Sequence, residues 1–282
     1  MIAKKTRCNA CRTDVIVPEF TMAFQPIVDI DTASVYAFEA LVRPPGGGSA
    51  YDILSRITEE NRYAFDQSCR VKAITLAARF ETNALLSINF LPNAVYQPAA
   101  CLAKTFEAAE RVHFPLHHLM FEVTENEPSR DVGHLQDIFT EYKRHGMITA
   151  IDDFGAGHSG LNMLADFQPD VIKIDMALTR AINTDPVRYE IARAVIDLCA
   201  TLHISVVAEG VENLDEAVTL RELGVRLFQG YLFAKPALEQ LPAVASSTVD
   251  AIRAAHEAKL LDSNSSGSGT ARMQGDSRVS RG

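Results

Sequence analysis

Between Thr21 and Phe228, short runs of β-branched and apolar residues alternate with longer stretches of helical period. The runs are Thr21 to Val28, Ser34 to Val42, Leu85 to Asn89, Leu119 to Val123, Met147 to Ile151, Val171 to Ile174, Ser205 to Ala208 and Arg226 to Phe228, eight in all. Between them, Ile191, Val195, Leu198 and Leu202 fall four, three and four residues apart, which predicts one buried helix face. Asp185 followed by Pro186 supplies the start of that helix. Leu135, Ile138, Phe139 and Tyr142 form a similar stripe that stops at Gly146, a C-terminal cap. Strands alternating with helices imply a mainly parallel sheet, and eight of them suit a closed (β/α)8 barrel. The first two runs are joined only by Asp29 to Thr32, a hairpin, whereas parallel neighbours need a crossover. An open doubly wound sheet is the alternative.

Composition narrows the function. Lys and Arg total 27 against 36 for Asp and Glu, a net charge of -9, so sequence-independent grip on duplex nucleic acid is not expected. Apolar runs such as Ile204 to Ala208 fall far short of the ~20 residues of a membrane span. Lys4, Lys5 and Arg7 have no apolar stretch behind them, so no secretory signal is expected and the cytoplasm is the default compartment. The expected organisation is an N-terminal extension over 1–14, one barrel over 15–246, a terminal helix over 247–261 and a disordered Ser/Gly-rich tail over 262–282.

The five cysteines do not suit a disulfide framework. Cys8 and Cys11 form a lone CxxC, a weak sign of zinc or redox chemistry. His113, His117 and His118 lie before a strand and read as solvated loop residues.

A pattern appears where strands stop. Glu39, Asn89, Glu122, Asp152 with Asp153, Lys173, Glu209 and Gln229 stand at or near the ends of seven consecutive runs. In a barrel these positions converge on the C-terminal rim, where such folds keep their chemistry. Five crowded carboxylates repel one another unless cations sit between them. Carboxylate and amide oxygens suit Mg2+ or Mn2+ better than zinc. Two divalent ions together with Lys173 balance the five negative charges, and paired metals serve phosphoryl transfer. A lysine among carboxylates keeps its proton, so Lys173 reads as the ammonium that orients a nucleophilic water, not as a Schiff-base former.

The run Phe38-Glu39-Ala40-Leu41-Val42-Arg43 resembles the signature of the EAL domains, the cyclic di-GMP phosphodiesterases. Further blocks resemble that family in order: Phe24 to Val28, Ser87 to Asn89, Phe121 to Glu125, Ile151 to Gly155, Ile172 to Asp175, Ala208 to Glu212 and Gln229 to Tyr231. The resemblance implies a modified (β/α)8 TIM-like barrel with its first strand antiparallel, which accounts for the hairpin. It implies hydrolysis of cyclic di-GMP to linear pGpG with two Mg2+ or Mn2+ per active site. Glu39, Asn89, Glu122 and Asp152 then correspond to ligands of one metal, and Asp153 and Glu209 help hold the second. Gln229 corresponds to a partner of the metal-site water, while Gln25, Leu41, Arg43, Asp175 and Glu212 match positions at or behind the nucleotide. Glu39, Lys173, Glu209 and Glu125 carry the catalytic roles, Glu125 by hydrogen-bonding the loop after Asp153. A homodimer coupled to that loop, and a sensor or regulatory partner, are expected.

The loop Asp152 to Gly160 has Ala156, His158 and Gly160 where the family commonly has Thr, Tyr and Ser. A Pro44-Pro45-Gly46-Gly47-Gly48 segment follows Arg43. The competing functions are a catalytically weak cyclic di-GMP receptor acting through a protein partner, and a metal-assisted hydrolase of another phosphoester.

Overall fold

The computed structural model describes residues 15–95, 101–125, 132–157 and 159–267. Its centre is a closed ring of β1 (Thr21–Asp29), β2 (Ser34–Arg43), β3 (Leu85–Asn89), β4 (Leu119–Thr124), β5 (Ile148–Phe154), β6 (Val171–Ile174), β7 (Ser205–Ala208) and β8 (Leu227–Phe228). From β2 to β8 every neighbouring pair is parallel. β1 runs antiparallel to β2 on one edge and to β8 on the other, which closes the barrel and excludes the open sheet. The β1–β2 hairpin turns on Asp29, whose Oδ1 accepts from the backbone N–H of Asp31 at 2.8 Å and of Thr32 at 3.3 Å. A further strand, β9 (Ala237–Leu238), pairs with Ala23 and Phe24 of β1. Two residues carry no readable period, so sequence alone did not predict it.

The described helices are α1 (Tyr51–Leu54), α2 (Arg62–Ala77), α3 (Ala103–Arg111), α4 (Val132–Arg144), α5 (Gly160–Asp166), α6 (Met176–Thr179), α7 (Pro186–Thr201), α8 (Leu214–Glu222) and α9 (Ser246–Gly267). In α4 the stripe Leu135, Ile138, Phe139 and Tyr142 is buried. Gly146 then takes φ +75°, and Met147 N–H donates back to the Tyr142 carbonyl at 3.2 Å. Asp185 caps α7, accepting from Val187 N–H at 2.9 Å and Arg188 N–H at 3.1 Å.

The expected face of α7 holds in part: Val195 and Leu198 pack partly buried against the core, but the ends of the stripe do not. Ala192, Ile196 and Cys199 are buried, whereas Ile191 is 45% and Leu202 37% exposed. The small Ala192 and Cys199 side chains let the helix approach closely along their own line, so the larger residues flank it. Helix α9 continues past Leu261 to Gly267 and is tied to the β1–β2 hairpin where Arg253 Nε donates to the Ile30 carbonyl at 2.7 Å. The sequence expectations for residues 1–14, including Cys8 and Cys11, for His158 and for the tail beyond Gly267 fall outside the described residues.

The core has two parts. A large apolar layer lies between barrel and helices, with Phe24, Phe38, Phe121, Ile151, Ile172 and Phe228 pointing outward into it. A small cluster of Ile27, Ala37, Met120, Ala150, Val171, Val207 and Leu227 fills the barrel interior. Each large buried side chain contributes roughly 1.5–3 kcal/mol, so the plug is a stable floor for whatever lies above it.

Candidate active site

Side chains on a strand alternate between faces, so the residue two places from an inward-facing one also faces inward. From Ala37, Met120, Ala150, Val171, Val207 and Leu227 this step leads to Glu39, Glu122, Asp152, Lys173, Glu209 and Gln229. Ile27 leads in the reverse sense to Gln25, because β1 is antiparallel. With Asn89 at the end of β3, each strand or its immediate extension contributes a polar residue above the apolar plug.

Lys173 is the hub. Its Nζ lies 2.8 Å from Asp152 Oδ1, 2.8 Å from Glu209 Oε1, 3.0 Å from Glu122 Oε2 and 3.3 Å from Glu39 Oε2. Glu39 is fixed further by Asn89 Nδ2, which donates to Oε1 at 2.9 Å, and by Gln229 Nε2, which donates to Oε2 at 2.7 Å. Gln229 Nε2 also reaches Gln25 Oε1 at 3.4 Å.

Consecutive residues of a regular strand cannot both face inward, yet Asp153 joins Asp152 beside the acidic group. The β5–β6 register shifts between Ile151 and Phe154, and Asp153 adopts φ +54°. This local bulge turns the second carboxylate back toward the rim.

Burial dominates the protonation of these groups. It pushes the Glu122 carboxyl up to about 8, with Glu39 and Asp152 adding to the rise and Lys173 opposing it. Burial likewise raises Asp152 and Glu209, and together with the charge of Asp152 it pushes Asp153 up to about 6. For Glu39 burial is outweighed by Lys173 and by the Gln229 and Asn89 hydrogen bonds, so its carboxyl is lowered. Burial would also discharge Lys173, but the carboxylates of Asp152, Glu122, Glu209 and Glu39 outweigh it and raise the ammonium. An amine held protonated is no Schiff-base nucleophile.

Two carboxylate groups could hold a cation. Oxygens of Glu39, Glu122 and Asp152 lie within 4.8 Å of one another, as do those of Asp152, Asp153 and Glu209. Asp152 is common to both. Glu122 Oε1 is buried with no hydrogen-bond partner among the described residues, which leaves a hard oxygen donor available inside the first group. The donor set therefore fits hard divalent cations.

Glu125 organises the neighbouring loop. Its carboxylate accepts backbone N–H groups from Gly155 at 2.8 Å, Gly157 at 3.2 Å, Ser159 at 2.7 Å and Gly160 at 2.6 Å. Burial opposes its charge, but these four donors outweigh it and lower its pKa. Gly160 sits so close that a Cβ there would lie 2.7 Å from the Phe154 ring and 3.1 Å from Glu125 Cδ.

A cavity of about 270 Å³ opens beside the acidic rim, bordered by Gln25, Glu39, Asp153, Asp175, Glu209, Glu212 and Gln229. Asp175 and Glu212 also hold local structure: Asp175 caps α6 through Ala177 N–H at 2.8 Å, and Glu212 pairs with Arg180 at 2.7 Å. Leu41 and Arg43 do not border this cavity, and Arg43 Nη1 donates to the adjacent Val42 carbonyl at 2.7 Å.

Sequence reasoning did not single out Met176 and Tyr231 as site residues. Both line the cavity while 47% and 55% exposed, and Lys235 Nζ stands 5.3 Å from the Tyr231 ring centroid. The available signal was the place of Tyr231 just after Gln229-Gly230. Gly230 is required there because a Cβ would lie 2.0 Å from the Val211 carbonyl oxygen. His113, His117 and His118 precede β4, at the opposite end of the barrel, and join neither carboxylate group.

The model of the EAL domain family matches residues 9–236. The blue light- and temperature-regulated antirepressor BluF of Escherichia coli (strain K12) is 33% identical over 225 residues, 79% of this chain and 56% of that protein. The probable cyclic di-GMP phosphodiesterase PdeD of the same strain is 32% identical over 225 residues, 77% of this chain and 42% of that protein. The chain thus spans about half the length of these curated relatives. A standalone versatile EAL protein from Vibrio cholerae O395, solved in its c-di-GMP bound form, superposes with a TM-score of 0.80 at 51% identity, covering 83% of this chain and 99% of that one. The manganese/cy-diGMP complex of Klebsiella pneumoniae BlrP1 gives 0.74 at 37% identity, covering 80% and 58%. The antiparallel first strand, the ring of carboxylates around Lys173 and these matches lead to one assignment: the chain belongs to the EAL domain family.

Proposed function

We propose that this chain hydrolyses one phosphodiester of cyclic di-GMP to give linear pGpG, using Mg2+ or Mn2+ at two adjoining sites. The observation that carries the reading is the set of buried carboxylates gathered on Lys173, with Glu39, Glu122, Asp152 and Glu209 all within 3.3 Å of its Nζ. Glu39, Asn89, Glu122 and Asp152 would hold one ion, and Asp152, Asp153 and Glu209 the other. When bound, such ions supply Lewis acidity and positive charge at the phosphate undergoing attack. Lys173, protonated and pinned by its partners, donates a hydrogen bond that orients the attacking water. Asn89 and Gln229 keep Glu39 in one rotamer. The exposed rim of the cavity takes the nucleotide, with Gln25, Asp175 and Glu212 bordering it, while Leu41 and Arg43 stand off it at the end of β2 and take no part in this reading. A homodimer, with the Glu125-held loop between metal site and interface, and a sensor or regulatory partner complete the reading. No described helix is long and apolar enough to cross a membrane, and the cytoplasm is the proposed compartment.

A second reading, a receptor that senses cyclic di-GMP and acts through a protein partner, is favoured by the regulatory name of BluF at 33% identity. Incubation with cyclic di-GMP and Mg2+ or Mn2+, followed by separation of products, decides between them. Release of pGpG supports hydrolysis. Saturable nucleotide binding without product leaves the receptor.

A further inference from the structure

A second cleft, of about 440 Å³, lies outside the barrel along α2 and the start of α3. Ser68, Lys72, Thr75 and Arg79 face it at spacings of four, three and four, one stripe that continues just past the end of α2. Lys104 of α3 adds a third cation, and no carboxylate among the described residues lines the cleft. In a chain with 36 acidic and 27 basic residues, a concavity drawn at random would carry more carboxylates than cations. Arg111 stands at the edge, its Nη2 3.5 Å from Thr75 Oγ1.

The cations differ in how they are held. Lys72 Nζ sits 5.4 Å from the Phe20 ring centroid, which keeps the ammonium over that ring without neutralising it. Arg79 meets Glu239 at 3.6 Å, but the two side chains are 61% and 45% exposed, so this pair is weak and exchangeable. The hydroxyls have no proton to offer a ligand, because Ser68 Oγ donates to the Ala64 carbonyl at 2.6 Å and Thr75 Oγ1 to that of Val71 at 2.7 Å. Recognition therefore falls to ammonium and guanidinium groups, which suit phosphate oxygens. Val71 and Leu76 give the cleft an apolar floor on which a ring can lie. A cavity of this size falls in the range that holds a small organic ligand.

We propose that this cleft is a second binding site, for a soluble phosphate ester of nucleotide size, separate from the acidic rim and independent of the hydrolytic reading. The site is concave and built from one helix face plus Lys104, which favours a small molecule over a lipid surface.

The test uses the full chain with chelator present, so that phosphate cannot gather at the rim through bound ions. GMP and inorganic pyrophosphate are titrated while backbone amide resonances are followed by NMR, with phosphatidylglycerol vesicles in a parallel arm. The expected result is saturable shifts along residues 68–79 and at Lys104, weakened by added salt. The apparent Kd should rise at least about tenfold in the Lys72→Gln, Arg79→Gln double variant and stay near wild type in Lys72→Arg. Shifts confined to residues around Glu39 and Lys173, an unchanged Kd in the double variant, the absence of saturation, or a response to vesicles alone would each overturn the proposal. Circular dichroism checks the fold, and Lys104→Gln replaces the double variant should that one melt early.

Discussion

Lys173 Nζ lies 3.0 Å from Glu122 Oε2 with both side chains at most 1% exposed, so the charge pair sits wholly inside the barrel. Such a pair is costly to desolvate and is retained here with further carboxylates on the same ammonium. The arrangement makes sense as a site that awaits more positive charge than one lysine brings.

Replacement of Lys173 by Met keeps the aliphatic stem and removes the donor. Turnover of cyclic di-GMP should fall by roughly 10² or more, while nucleotide affinity changes by less than about tenfold. Rate and binding assays on the same preparation check this. Equal losses in both would make Lys173 a substrate clamp.

Glu39→Ala removes one oxygen donor and the acceptor shared by Asn89 and Gln229. The loss of turnover should exceed the ~10–100-fold typical of removing an outer-shell partner, and Gln229→Ala should fall within that range. Circular dichroism should show both variants folded. Full activity in Glu39→Ala would rule out its place in the metal site.

Protonation predicts how metal affinity depends on pH. Asp153 is pushed up to about 6 and Glu122 to about 8, so a divalent ion displaces a proton from Glu122 at neutral pH and from Asp153 nearer pH 6. Mg2+ affinity should rise with pH between about 6 and 8, with protons released on binding. Calorimetry in buffers of different ionisation enthalpy measures the release. Because raised carboxyl values lend stability below the ordinary carboxylate range and lose it as pH rises through the folded value, the metal-free protein should lose stability across the same interval.

Glu125→Ala leaves the amides of Gly155, Gly157, Ser159 and Gly160 without their acceptor. The expected cost is about 2–4 kcal/mol, together with a weaker Mg2+ dependence of the rate and an altered dimer equilibrium. Denaturant melts, a Mg2+ titration of activity and sedimentation read the three effects. Unchanged titration and sedimentation would remove the coupling between loop and dimer. Glu125 is held below the ordinary carboxylate range, so the stability it lends is present above that range and is lost as pH falls through the lowered value. The gap between wild type and Glu125→Gln should therefore close in acid.

Sequence by itself determined the eight barrel strands, though not the short β9 beside β1, and the polar layer. The runs ending at Asn89, Ile174 and Ala208 are the observed strands to the residue, because a buried strand is a local apolar run with a period of two. The same period carries Glu39, Glu122 and Lys173 to one height above the interior plug, so most of the candidate site was legible. The place of Asp153 at the rim was legible beside Asp152, but the bulge that turns its side chain inward is a tertiary matter, since it depends on a shift of register against β6. Tertiary structure also decided that α7 buries Ala192 and Cys199 instead of Ile191 and Leu202, a matter of how closely two surfaces approach. Met176 and Tyr231 meet at one cavity, and Arg43 stays off it, because loops from distant strands are brought together by barrel closure. Local pattern records which way a side chain points along its own strand; which neighbours it meets is set by the register and curvature of strands far away in the chain.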